Sequence, residues 1–272
     1  MLDTGHPQLR LPSSTGGPRC WWSSATSRRG RVAPCLAVPH DAAVRPFYDA
    51  SYVPQTRYAK TADGVHIAYQ VLGEGPFDIV FVNSNFSSNV EILWEWEELA
   101  ASLRWLAARG RLVVFDRRGT GLSDSVSGDR LPTLEARMDD IGAVMDAVGI
   151  ARAILYGLED AAAQCFMFAA TYPERTAAII TFGAASRGTW APDAPWLWTE
   201  ERWASWLGQI EGGWGTSKFT EDVATVVFPS RARDPRFLQT YGRAMRQSMR
   251  PADALASGRM HMERRMYATS FH

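Results

Sequence analysis

Two neighbouring carboxylates, Glu159 and Asp160, stand in the segment Gly157-Leu-Glu-Asp-Ala161, where an apolar run passes into a helical one. Small residues on either side permit a sharp strand-to-helix turn that presents its apex side chain above a sheet. A carboxylate in that place can attack an electrophilic carbon. It can also do no more than put negative charge at the positive end of a helix. Glu reaches one methylene further than Asp, and a misplacement of ~1 Å can cost ~10²-fold in rate. A second polar cluster, Asn83-Ser84-Asn85, follows another apolar run. Its side chains can donate hydrogen bonds, or the segment is a polar turn with Asn tolerating unusual dihedrals. A third segment, Asp116-Arg-Arg-Gly-Thr-Gly-Leu-Ser-Asp124, combines turn glycines (Gly119, Gly121) with Asp116, Arg118 and Ser123, which can tie loops together.

Nucleophilic chemistry also needs a base within hydrogen-bond reach. The chain has five histidines, His6, His40, His66, His261 and His272. His66 lies on an early strand, away from the loops at the strand ends, His261 in a later helical region and His272 at the last position, so none is expected to act as the base. Ser84, Ser123 and Ser186 are then ordinary hydroxyls, and Asp124 and Asp193 are acids with no histidine to serve. Cys165 is expected as a small buried residue. The three cysteines, Cys20, Cys35 and Cys165, show neither a metal spacing nor a disulfide framework. No metal or other cofactor is expected, and a reducing, cytoplasmic setting is.

The elements that must position these residues are legible from Arg57 onward. Apolar strands are expected at 66–72, 78–82, 111–115, 152–156 and 177–182. Helices are expected at 95–108, with Gly110 as its cap, from Thr133 to Gly149, and at 160–172 before Pro173. Strands that are apolar throughout and alternate with helices mean a mostly parallel sheet covered on both faces. Ligands then bind beyond the carboxyl ends of the strands. Residues 190–260 read as a helical cap. Six of the eleven tryptophans fall between Trp190 and Trp214. They can line an apolar pocket for a small ligand, or pack the cap onto the core, which is the commoner role of buried aromatics.

The chain has 29 basic and 29 acidic residues, a balance that argues against a dedicated nucleic-acid partner. No apolar run is long enough to suggest a membrane span. Residues 1–56 are rich in Pro, Ser, Gly and Arg, with six Arg against three Asp. They are expected to be a disordered basic leader.

The Asp116–Asp124 segment closely resembles the D-x-R-G-x-G-x-S loop of α/β-hydrolases, and Thr171-Tyr-Pro-Glu-Arg175 is similar to the stretch those enzymes place after the nucleophile helix. Arg57-Tyr-Ala-Lys60, His66-Ile-Ala-Tyr-Gln-Val-Leu-Gly73, Met138-Asp-Asp-Ile141 and Val144-Met-Asp-Ala147 look like a narrower group. These are the hydrolase-like domains often fused to nucleotide cyclase or helix-turn-helix domains in actinobacteria. The resemblance spans roughly residues 57–263. It implies a three-layer α/β fold: a core over 57–189 and a helical cap from 190 to 272. It also implies that Glu159 stands where the family carries its serine, in G-x-S-x-G, and that residues 83–85 stand in the oxyanion loop. The family's acid and histidine lie on strands that follow the cap, and nothing after Glu263 resembles them. The expectation is therefore a hydrolase-like domain lacking its last strands and a working triad, serving as a ligand-binding or regulatory module or a remnant. The alternative is a residual hydrolase of small esters or epoxides acting through Glu159 or Asp160. Without those strands, 177–182 becomes an open apolar edge that invites self-association.

Overall fold

The structure is a computed structural model and describes residues 52–84, 86, 88–125, 132–185 and 187–263. Most of the expected leader, together with Asn85, Ser186 and His272, lies outside the described residues. Of the last leader residues, Pro54 is buried, and Thr56 accepts a 2.9 Å hydrogen bond from Gln70.

Six strands form one mixed sheet. They are β1 (Arg57–Lys60), β2 (His66–Leu72), β3 (Asp78–Val82), β4 (Arg111–Phe115), β5 (Ala153–Leu158) and β6 (Thr176–Phe182). Their spatial order is β1-β2-β4-β3-β5-β6. β2 runs antiparallel to β1 and β4, whereas β3 is parallel to β4 and β5, and β6 is parallel to β5. Helix α1 (Glu97–Ala107) covers one face through Leu103 and Ala107, packed on Phe81 and Leu112. Helices α2 (Leu134–Val148) and α3 (Ala162–Thr171) cover the other with Met138, Ile141, Met145 and Phe168 against Val80 and Val113. The strands are apolar throughout because both faces of the central strands are buried.

Local chemistry sets the helix ends. Thr133 accepts a hydrogen bond from the Ala136 N–H, and Gly149 closes α2 in the left-handed region at φ 71°, as expected. The helix expected at 95–108 is instead a short 3₁₀ turn, Ile92–Glu95, followed by α1. Ala108, not Gly110, is its C-cap. Gly110 serves a different need: a Cβ there would lie 2.5 Å from the Phe77 carbonyl.

After β6 the chain builds α4 (Glu200–Gly213), α5 (Ser217–Val227), α6 (Pro235–Ser248) and α7 (Pro251–Glu263). Ile210, Phe219, Val223, Phe237 and Met245 give this cap a core of its own. Among the described residues β1 and β6 are the sheet edges, and on β6 Ile180 and Phe182 are exposed. No helix among them is long and apolar enough to cross a membrane.

Candidate functional site

The strand-to-helix junction after β5 is a tight elbow. Glu159 sits at its apex with φ 50°, in the left-handed region that L side chains rarely adopt, and a 3₁₀ turn carries the chain into α3. That backbone costs about 1–2 kcal/mol in a residue other than glycine. A Cβ at Gly157 would lie 2.8 Å from the Cys165 Sγ and 2.9 Å from the Ala162 Cα, so only glycine fits there. Gly183, at the end of β6, leaves room for Glu159: its Cβ would stand 3.4 Å from the Glu159 Cγ.

The two carboxylates of the elbow part company. Glu159 lines a cavity of about 730 Å³ over the strand ends. Glu159 keeps an exposed surface there, and it borders the cavity at the protein's own strand ends. Desolvation pushes its pKa up and the neighbouring Asp160 adds to this. The hydroxyl of Ser84, which donates to the Glu159 carboxylate, and the Arg117 charge pull it partly back. Asp160 is buried and does not line the cavity. Arg117, itself fully buried, grips it with Nη1 2.8 Å from Oδ2 and Nη2 3.3 Å from Oδ1. Burial alone would raise the Asp160 pKa, but Arg117, then His261 and Arg137, hold it well below the usual carboxylate range. Asp160 is therefore a structural anchor beneath the elbow, and of the two expected candidates only Glu159 faces the cavity.

The oxyanion-loop position is occupied differently from what a donor pair needs. The Ser84 N–H donates to the Asn83 Oδ1 at 2.9 Å, inside the loop. Asn83 and Ser84 are both buried. Ser84 turns its hydroxyl to Glu159, so the loop serves a carboxylate already present on the protein.

The 116–124 loop is scaffold. Asp116 accepts from the N–H groups of Val90 (3.1 Å) and Leu122 (2.9 Å) and from the Ser88 hydroxyl (3.0 Å). Burial pushes its pKa up to about 6. Arg118 bonds Asp140 at 2.9 Å and Asp63 at 2.7 Å, joining α2 to the β1–β2 turn. The Ser123 hydroxyl donates to the Asp116 carbonyl at 2.6 Å and accepts from the Ala68 N–H at 2.9 Å, so it is not held as a nucleophile. Gly119 (φ 78°) and Gly121 (φ 53°) supply the turns.

The expectation for His66 and Asp124 is corrected, whereas His261 lies in the cap as expected. His66 is not remote from the loops: β2 runs antiparallel to β4, which brings its first residue to the strand-end side. There the His66 Nδ1 lies 2.9 Å from the Asp124 Oδ2, so Asp124 does have a histidine partner, on the surface. His261, near the end of α7, lines the same cavity as Glu159. Its ring centroid lies 5.2 Å from that of Trp203. No motif around His261 marks it, because only the folding-back of α7 brings it to the sheet.

The cap tryptophans do more than pack. Trp196, Trp198, Trp203 and Trp206 line the cavity, joined by Trp96 from the core and by Phe228 and Tyr241 from the cap. Among the described residues no group of His, Cys, Asp and Glu is arranged to hold a metal ion.

The elbow makes one prediction about stability. A group whose pKa is raised in the fold favours folding most when protonated, and that contribution is lost as pH rises through the folded value. Glu159→Gln cannot ionise. Its melting temperature is expected to exceed that of the wild type at pH 7, and the gap should shrink as pH falls towards 4. Melting curves across that range check it; a gap that widens on acidification would contradict the assignment.

The architecture is that of the α/β-hydrolase fold. An esterase from Exiguobacterium antarcticum superposes with a TM-score of 0.65 at 15% identity, over 78% of this chain and 75% of that one. A bromoperoxidase from Bacillus anthracis gives 0.62 at 15% identity, over 78% and 75%. An enol-lactonase from Burkholderia xenovorans LB400 gives 0.57 at 21% identity, over 76% and 74%. No protein-family model matches the chain. A search of curated proteins found no match either. Identities this low speak for the fold, and a fold does not give an activity.

Proposed function

We propose that this chain is a ligand-binding module on an α/β-hydrolase scaffold, taking a small, largely apolar molecule into the cavity between the strand ends and the cap. The observation that carries this reading is the occupant of the elbow. The strained turn, the crowded Gly157 and the small Ala161 are all kept, yet the apex side chain is a carboxylate that already accepts a hydrogen bond from Ser84. A hydroxyl nucleophile is missing from the apex, and the neighbouring loop spends a backbone donor internally. The cavity volume and its aromatic lining suit a small molecule. The likeness of residues 57–73 to the hydrolase-like domains joined to nucleotide cyclases fits a sensing role.

A second reading has one observation in its favour. His261 borders the same cavity as Glu159, so a carboxylate nucleophile and a base share one space, the parts needed to open an ester or epoxide and hydrolyse the resulting intermediate. Asp160 has no part in it, being held by Arg117.

Turnover decides between them. Wild type and Glu159→Ala are assayed with p-nitrophenyl acetate and styrene oxide. The binding reading expects neither substrate to be consumed faster by the wild type than by the variant. A rate at least about 100-fold above the variant, lost also in His261→Ala, would establish the hydrolase instead.

A further inference from the structure

We infer that the cavity takes an organic cation, a quaternary or alkylated ammonium carried on an apolar body; this rests on the ligand-binding reading above and narrows it. The cavity floor carries a carboxylate, and its walls are aromatic. Trp198 lies 4.9 Å from Trp203 and 5.9 Å from Trp206, ring centroid to centroid. Trp96 lies 5.1 Å from Phe228 and 5.6 Å from Tyr241. All six rings border the same space as Glu159. Aromatic faces carry negative potential and attract cations, Trp most strongly, and a group of such rings is the usual seat of a quaternary ammonium. A purely apolar guest would gain nothing from Glu159, and burying an ionised carboxylate beneath it would be unfavourable. A cationic guest turns that cost into an attraction.

The other charges around the cavity leave this polarity in place. Arg202 is exposed and lies over Trp198, 4.4 Å from the ring centroid, so one cation already rests on a ring of this wall. Arg187 bonds Asp193 at 3.2 Å, and the Asp222 carboxylate is paired with Lys218. Asp160, under the floor, is matched by Arg117. Among the described residues no cationic group lies within ion-pair distance of the Glu159 carboxylate, whose hydrogen bond comes from the neutral Ser84 hydroxyl. Arg117 acts on it only at longer range, and the charge of His261 acts on Asp160 rather than on Glu159. An anionic guest would meet Glu159 directly and is disfavoured.

The test compares two guests of one shape, phenyltrimethylammonium and tert-butylbenzene, which differ in charge. Each is titrated against the full chain at pH 8, with displacement of the neutral fluorophore N-phenyl-1-naphthylamine as the readout. The cation is expected to bind at least about 10-fold more tightly than the hydrocarbon. Glu159→Gln should abolish most of that preference, weakening the cation and, with the carboxylate's charge gone, tightening tert-butylbenzene, and Trp206→Leu should reduce it. Equal binding of the two guests, or a preference unchanged in Glu159→Gln, would overturn the cation assignment and leave the apolar pocket standing. If neither guest nor the fluorophore binds, the pocket reading itself falls and the cation assignment with it.

Discussion

Replacing Arg117 with Met should cost the fold about 3–5 kcal/mol, the range for removing one partner of a buried ion pair. Arg117 is fully buried and makes two hydrogen bonds to Asp160, which sits directly beneath the elbow. Without it the Asp160 carboxylate would stay in a poorly solvated place, with Arg137 at 4.0 Å and the charge of His261 as weaker support, so the elbow would loosen. Urea denaturation at pH 7 measures the loss. The double variant Arg117→Met, Asp160→Leu is the control. It removes both charges, and its stability should recover by more than half of the single-variant loss. A single variant as stable as the wild type would mean that the pair does not hold the elbow.

The second large effect is expected at Gly121. A methyl group there would sit 2.2 Å from the Asp116 Oδ2, and the backbone φ of 53° would be strained for alanine as well. Asp116 would have to move, and it gathers the N–H groups of Val90 and Leu122 and the Ser88 hydroxyl into one knot. The Gly121 N–H also donates to the Ser248 carbonyl at 2.9 Å, which ties this loop to α6 of the cap. Gly121→Ala should therefore lose about 3 kcal/mol or more, as overpacking, strain and broken buried hydrogen bonds combine. The pH dependence gives an independent readout. Burial raises the Asp116 pKa to about 6, so its contribution to stability is complete below the ordinary carboxylate range and fades as pH rises through 6. Asp63 works in the opposite sense. Arg118 and Thr61 hold its pKa near 2, and its contribution is lost only as pH falls towards that value. A shallower dependence between pH 4 and 7 in Asp116→Asn would confirm which group is responsible.

Much of the core was legible because its signals are local. The ends of β2, β3 and β4 follow from apolar runs bounded by turn residues. Thr133 and Gly149 mark α2 through a hydroxyl acceptor and a left-handed cap. The elbow was legible as well, since Gly157 and Ala161 are small for a steric reason that holds in any such turn. What sequence reasoning missed depends on the folding-back of distant segments. His66 meets Asp124 only because β2 is antiparallel. Adjacent in sequence, Glu159 and Asp160 diverge because one residue in the left-handed region redirects the chain, sending Glu159 to the cavity and Asp160 into the protein. His261 reaches the site from α7, about a hundred residues after the elbow, with no periodicity to announce it. The tryptophans of the cap were visible as a cluster, but whether their rings face a cavity or a core is decided by the packing of four helices.

The most direct test of the account is a fluorescence titration of the full chain with N-phenyl-1-naphthylamine, alongside Ser205→Trp, which adds bulk to the cavity wall. The account predicts saturable binding at one site per chain in the wild type and a loss of at least about 10-fold in affinity in the variant. Absence of saturable binding, or the same affinity in both proteins, would contradict the claim that the cavity above Glu159 is a ligand site.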